Sequence, residues 1–110
     1  MKNFIPKKRY DFSVIEGWID HNAKVLDLGC GDGMLLNYLN VHKNTTGFGI
    51  EKNKDNWLLS LQNGVDVIQM DLESGLAGFE NNSFDVVILS RTIQSMRNIE
   101  SIMKELQRVA

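Results

Sequence analysis

The fold is decided by residues 24–33, which read KVLDLGCGDG in one-letter code. Residues 24–28 form a short apolar run interrupted by one aspartate, which is typical of a buried strand. Three glycines at alternate positions follow, and they let the backbone turn sharply while leaving no Cβ between the chain and a ligand. The stretch therefore predicts a buried strand that passes through a ligand-binding loop into a helix. A tight strand–helix turn without a ligand is the alternative.

The rest of the chain alternates between strand-like and helix-like periods. Short apolar runs predict further strands at 45–51, 65–70 and 83–89, and helical spacing predicts helices at about 11–20, 34–40, 53–63 and 98–109. Strands that alternate with helices indicate βαβ units and a parallel sheet. Right-handed crossovers then favour the strand order 3-2-1-4 in an α/β fold with helices on both faces of the sheet.

The apolar stripes of these helices predict which side chains face the core. Gly64 is the predicted stop after the third helix. The predicted core-facing residues are Phe12, Ile15, Trp18 and Ile19; Leu35, Leu36 and Leu39; Trp57, Leu58 and Leu61; and Ile99, Ile102, Met103, Leu106 and Val109.

Length and composition limit the class of protein. One hundred and ten residues make at most one domain, and 43% hydrophobic with 24% charged residues is ordinary globular composition. The single cysteine excludes an intramolecular disulfide. No apolar run approaches the roughly 18–20 residues of a membrane span. We therefore expect a cytoplasmic protein with no membrane partner.

Charge is distributed unevenly along the chain. Residues 1–10 contain four basic side chains and no acidic one, and we interpret them as a loose basic leader. Residues 11–110 form the predicted domain, in which acidic side chains outnumber basic ones. An acidic domain argues against a broad nucleic-acid face. No Cys/His spacing suits zinc, so no metal site is predicted.

Three carboxylates stand at strand ends, which a parallel sheet brings to one edge. Asp27 precedes the glycines, where a negative charge suits a cation or amino group; alternatively, it accepts N–H bonds from its own loop. Glu51 ends the second strand and can bind two ribose hydroxyls, with a solvated strand end as the alternative. Asp71, between Met70 and Leu72, can bind an adenine amino group while these neighbours hold the ring; an Asx turn is the alternative.

The ligand that these residues describe is not a dinucleotide. A dinucleotide fingerprint needs Gly-x-Gly-x-x-Gly/Ala, and its third required position falls on Met34. An adenosine without phosphates and with a positively charged end fits S-adenosylmethionine, or its product S-adenosylhomocysteine. The predicted cofactor-binding residues are Asp27, Gly29, Cys30, Gly31, Gly33, Glu51, Lys52, Asp71 and Leu72. Cys30 is interpreted as a small loop residue and not as a nucleophile.

Three stretches of the sequence resemble known protein families. Residues 26–33, LDLGCGDG, resemble the first motif of class I S-adenosylmethionine-dependent methyltransferases. Residues 63–76, NGVDVIQMDLESGL, and 83–97, SFDVVILSRTIQSMR, resemble the methionine-biosynthesis protein MetW family. The resemblance covers residues 10–110. The glycine motif by itself points to the superfamily, whereas the Leu-Ser-x-Thr-hydrophobic-Gln stretch after the fourth strand points to MetW.

This resemblance implies a Rossmann-like class I methyltransferase fold and a bound S-adenosylmethionine or S-adenosylhomocysteine. It implies Ser90 as a further residue near the cofactor. It also implies a role in methionine biosynthesis, with homoserine O-acetyltransferase as partner and methyl transfer to an unidentified acceptor. No catalytic residue is assigned, because no His or Lys is convincingly placed as a base. The alternative is a non-catalytic protein that senses the cofactor or its product and acts on the acetyltransferase.

The end of the sequence adds one more expectation. The class I fold has seven strands, and this sequence stops after the helix that follows the fourth. We therefore expect the N-terminal portion of a longer protein, with the fourth strand at an open sheet edge. Unpaired backbone groups at such an edge favour association, so we expect a second copy to dock there, by edge-to-edge pairing or by packing of the last helices.

Overall fold

A computed structural model of the chain describes residues 4–6, 12–71, 78–89 and 99–110. Strands and helices alternate along most of these ranges, as predicted. The ends of each predicted element differ from the observed ends by three residues or fewer. In chain order the elements are β1 (Phe4–Pro6), α1 (Phe12–Trp18), β2 (Lys24–Leu28), α2 (Met34–Lys43), β3 (Thr46–Glu51), α3 (Lys54–Gln62), β4 (Val67–Gln69), β5 (Val86–Leu89) and α4 (Ile99–Val109).

The strands form one sheet in the order β1-β5-β2-β3-β4, and every neighbouring pair is parallel. The predicted strands one to four are β2 to β5, so the predicted order 3-2-1-4 is confirmed. In the central strand β2, Asp27 lies opposite Gly49 of β3 and Ile88 of β5. Because the strands point the same way, their carboxyl ends meet at one edge, where open α/β sheets bind ligands.

The edge beside β5 differs from the expectation. Residues 1–10 were expected to form a loose leader, yet Phe4–Pro6 pair in parallel with residues 87–89 of β5. The expected open edge is therefore wrong at these positions. Pro6 is compatible with this place because an edge strand can leave a backbone nitrogen without a sheet partner. Self-association stays a prediction, now without the support of an open edge.

The sheet separates two apolar clusters, because successive side chains of a strand point to opposite faces. Val25 and Ile88 pack on one face, and Leu26 and Val87 pack on the other. The first cluster includes the buried Ile15, Ile19, Leu35, Leu36 and Leu39, and the second includes Leu106 and Val109. Helices on both faces are thereby confirmed. No helix in the described ranges is long and apolar enough to cross a membrane.

Helix α3 faces the core with other residues than predicted. Leu58 and Leu61 were expected to point inward, but they are 41% and 45% exposed. The fully buried side chain of α3 is Ser60. Trp57 is half-buried, and its Nε1 donates a hydrogen bond to the carbonyl oxygen of Val67 in β4 at 3.3 Å. Within α3, only Ser60 is therefore fully buried, and it packs against the glycine loop described below.

Helices α1 and α3 both end within two residues of their predicted ends. Trp18, expected to face inward, is 52% exposed because α1 ends there and Ile19 takes the buried place beyond it. Gly64 is confirmed as the stop after α3, since it has a φ of +76°, which glycine adopts readily.

Candidate functional site

The glycine loop, residues 29–33, connects the end of β2 to the start of α2. The amides of Gly29 and Cys30 both donate to the carbonyl oxygen of Ile50 in β3, at 2.7 and 3.1 Å. All three glycines of the loop have positive φ, which other residues adopt only with strain: Gly29 +73°, Gly31 +61° and Gly33 +80°. The path of the chain therefore requires the alternating glycines.

The loop has one open face and one filled face. A Cβ on Gly31 would meet no atom within 4 Å, so the backbone there is open to a ligand. A Cβ on Gly33 would lie 2.7 Å from Cγ2 of Val65 and 3.0 Å from Oγ of Ser60. Gly31 leaves room for a ligand, whereas Gly33 allows close packing against α3 and the turn that follows it.

Glu51, the last residue of β3, is held against this loop. Its side chain is largely buried, with 9% of the residue exposed. Oε1 accepts a hydrogen bond from the amide of Gly31 at 2.8 Å, and Oε2 accepts one from the amide of Asn53 at 3.0 Å. The alternative of a solvated strand end is therefore wrong. Each carboxylate oxygen keeps a second lone pair, so the oriented carboxylate can still accept a ligand hydroxyl.

The other predicted residues take different positions. Asp27 is completely buried, and so is the side chain of Cys30. A Cβ on Gly49 would lie 2.5 Å from Sγ of Cys30, which shows how tightly β3 packs against that sulfur. Cys30 is 0% exposed as a whole residue, and its N–H and carbonyl oxygen bond to Ile50 and Gly33, so it packs beneath the loop and is not open to a ligand. Lys52 and Asp71 are exposed.

The strand ends bring part of the predicted site together. The amide of Met70 donates to the carbonyl oxygen of Glu51 at 3.1 Å, which aligns the end of β4 with the end of β3. Asp71 follows directly. The glycine loop, Glu51 and Asp71 therefore lie along the same edge of the sheet, as predicted. Leu72 and Ser90 lie outside the described residues.

Two residues outside the predicted site also contact the loop. Oγ of Ser60 donates to the carbonyl oxygen of Gly31 at 2.7 Å, and Nδ2 of Asn63 donates to that of Asp32 at 2.8 Å. The sequence gives one indication that Ser60 points inward: it lies three residues after Trp57, at the spacing of a helix stripe. A serine between leucines is ordinarily interpreted as a surface residue, so the pattern does not predict the contact of Ser60 with the loop.

Comparisons with known proteins identify the family and the fold. Residues 9–110 match the family model described as methionine biosynthesis protein MetW. A bifunctional methionine biosynthesis protein MetXA/MetW from Rhodopirellula baltica is 37% identical over 99 residues. That match covers 83% of this chain and 16% of the relative.

Solved structures share the fold. A SAM-dependent methyltransferase from Aquifex aeolicus has a TM-score of 0.73 at 21% identity, over 92% of this chain and 58% of its own. A SAM-dependent methyltransferase from Thiobacillus denitrificans, in complex with S-adenosyl-L-homocysteine, has a TM-score of 0.74 at 17% identity, over 89% and 42%. These likenesses confirm the Rossmann-like class I methyltransferase fold. The chain spans less than two thirds of the length of each of these proteins.

Proposed function

This chain belongs to the MetW family of methionine biosynthesis proteins, and we propose that it binds S-adenosylmethionine or S-adenosylhomocysteine and serves methyl transfer. The observation that carries the proposal is the pairing of Gly31 with Glu51. Gly31 presents an open backbone face, and its amide is held by a largely buried carboxylate at 2.8 Å. This arrangement suits a ligand that has hydroxyls to offer the carboxylate and a slender part to lie on the loop.

The proposed roles follow the order of the strands. Glu51 binds the ribose hydroxyls, and Asp71 binds the adenine amino group, with Leu72 beside the ring. Asp27 supplies negative charge next to the loop, which favours the ammonium group of the ligand. The backbone of residues 29–33 lies along the methionine part, and residues 11–110 form the cofactor-binding domain. Lys52 and Ser90 are retained as further residues near the cofactor.

The chemistry of the cofactor leaves a limited task to the protein. S-adenosylmethionine, when bound, supplies a methyl group that its sulfonium already activates. The chain's own residues therefore bind and orient the cofactor. Orientation of reactants can account for up to about 7–11 kcal/mol of a reaction barrier. Glu51 and the loop account for cofactor binding alone.

We also propose homoserine O-acetyltransferase as a partner. The Rhodopirellula baltica relative joins MetXA and MetW in one bifunctional protein. Joining two modules in one chain raises their effective concentration toward each other. A fused relative therefore supports a physical association where the two proteins are separate chains.

Calorimetric titration of the full-length protein tests cofactor binding. We expect S-adenosylmethionine and S-adenosylhomocysteine to bind and NAD to bind more weakly. Glu51→Ala removes a charge-assisted contact worth about 1.5–3 kcal/mol, which lowers affinity about 10- to 150-fold. Glu51→Gln is the matched control, because its amide oxygen can still accept from Gly31, and it should lose less. Tighter binding of NAD, or an unchanged affinity in Glu51→Ala, would count against the assignment.

A second experiment separates methyl transfer from sensing. The full-length protein is mixed with homoserine O-acetyltransferase and S-adenosylmethionine carrying a labelled methyl group. Label in a product supports methyl transfer. Acetyltransferase activity that depends on the cofactor, without any labelled product, would instead assign the protein as a regulator.

A further inference from the structure

We propose that Ser60 in α3 and Asn63 at its C-terminal cap are positioning residues for the cofactor. They hold the glycine loop in its binding shape from the face opposite the ligand. The inference rests on the proposed function, since it concerns the affinity for S-adenosylmethionine and S-adenosylhomocysteine. It assigns to α3 a role in binding although the buried Ser60 does not face the open side of the loop.

The loop needs such support because of its composition. Three of its five residues are glycines with positive φ, and glycine has more conformational freedom to lose than any other residue. A loop that is ordered only when the ligand arrives subtracts that entropy from the binding free energy. Contacts that order the loop beforehand therefore raise affinity without touching the ligand.

The two contacts fix successive peptide groups. Gly31 accepts from Ser60, and Asp32 accepts from Asn63, each through its carbonyl oxygen. In a trans peptide the carbonyl and the following N–H point in opposite directions. Anchoring the carbonyl of Gly31 to α3 therefore turns the amide N–H of Asp32 away from the helix.

Gly31 is held at both of its polar backbone groups. Its carbonyl oxygen accepts from Ser60 at 2.7 Å, and its amide donates to Glu51 at 2.8 Å. The carboxylate proposed to bind ribose and the hydroxyl from α3 thus act on the same residue. A shift of Gly31 that follows loss of Ser60 would also disturb the orientation of Glu51.

Close packing explains why position 60 carries a serine. Its side chain is completely buried, and a Cβ on Gly33 would approach its Oγ to 3.0 Å and its Cβ to 3.1 Å. A leucine at this inward position of α3 would collide with the loop. A small side chain with a hydroxyl both fits the space and satisfies the carbonyl of Gly31.

The test compares cofactor affinity with stability in the full-length protein. In Ser60→Ala and in Asn63→Ala we expect the dissociation constant for S-adenosylhomocysteine to rise about three- to tenfold, as for loss of one hydrogen bond. Titrations are run well below the melting temperature, so that unfolding does not lower the apparent affinity. Asn63 is only half-buried, so its variant keeps the test open if Ser60→Ala folds poorly.

Thr45→Val is the matched control. Oγ1 of the buried Thr45 hydrogen-bonds the side-chain amide of Asn40 at 2.7 Å, just before the start of β3 and so away from the glycine loop. The control should lower the melting temperature about as much as Ser60→Ala while leaving affinity unchanged. Faster amide hydrogen exchange at residues 29–33 is expected in Ser60→Ala and not in Thr45→Val.

The outcomes separate the two proposals. If the unmodified protein binds neither S-adenosylmethionine nor S-adenosylhomocysteine, the proposed function fails and the positioning role fails with it. If the unmodified protein binds and both α3 variants keep its affinity, or lose no more than Thr45→Val, only the positioning role is overturned.

Discussion

Helices α2 and α3 follow adjacent strands of the sheet, but they are attached to the molecule by different forces. α2 inserts Leu35, Leu36 and Leu39 into the apolar cluster on its face of the sheet, and each is nearly or fully inaccessible. α3 buries Ser60, while its three leucines, Leu58, Leu59 and Leu61, are more than one-third exposed. Apolar burial holds α2, whereas α3 and its C-terminal cap meet the glycine loop through the polar contacts of Ser60 and Asn63. Changes in α2 should therefore act on stability, and changes in α3 should act on the glycine loop.

The largest expected effect comes from truncating a core leucine of α2. Leu39→Ala should lower the free energy of unfolding by about 3–5 kcal/mol, because it removes buried methyl groups and leaves a cavity. Leu61→Ala is the matched control on α3 and should lower it by about 1 kcal/mol or less, since Leu61 is already 45% exposed. Urea denaturation measures both. Equal losses in the two variants would remove the distinction between the helices.

A smaller effect is expected where the loop meets α3. Gly33→Ala should cost about 2–3 kcal/mol of unfolding free energy. The new methyl group both strains a φ of +80° and approaches Val65 to 2.7 Å.

Gly64→Ala is the control for backbone strain alone. Its φ is +76°, but nothing lies within 4 Å of a Cβ there, so it should cost about 1 kcal/mol. Denaturant titration of both variants isolates the contribution of close packing. A loss in Gly64→Ala as large as in Gly33→Ala would show that the loop and α3 are less tightly packed than described.

The smallest loss of stability is expected where α3 contacts the edge strand β4. Trp57→Phe keeps an aromatic ring but loses the Nε1 hydrogen bond to the carbonyl oxygen of Val67, at a cost of about 0.5–1.5 kcal/mol. Thermal unfolding gives the loss, and hydrogen exchange at β4 shows where it acts. Exchange that speeds up at β2 as well would mean that α3 supports the centre of the sheet and not only its edge.

The sequence predicted α2 better than α3 for a physical reason. Leu35, Leu36 and Leu39 bury against a broad apolar surface, so helical spacing identifies them correctly. The inward face of α3 meets a glycine loop that leaves room for a serine and no more. An apolar stripe is a poor guide at such a contact, because the fit depends on the backbone of another segment.

Some residues of the candidate site could be predicted from the sequence and others could not. The glycines and Glu51 were predictable, because their places at the ends of β2 and β3 follow from the order of the elements. The contacts of Ser60 and Asn63 with loop carbonyls were not, because they depend on which carbonyls face α3. The pairing of β1 with β5 could not be predicted either, because of the length of β1. A three-residue strand is too short to show a period.

That pairing has a consequence for the order of folding. β1 joins β5 through Phe4 and Val87, whereas β2 joins β3 through Lys24 and Thr46, so the first contact closes a loop roughly four times longer and costs about 1 kcal/mol more in chain entropy. Contacts between distant segments form late when nearer ones can form first. The sheet is therefore expected to grow outward from β2 and β3, with β1 added last. The same short strand should be the first to detach when the native protein opens locally.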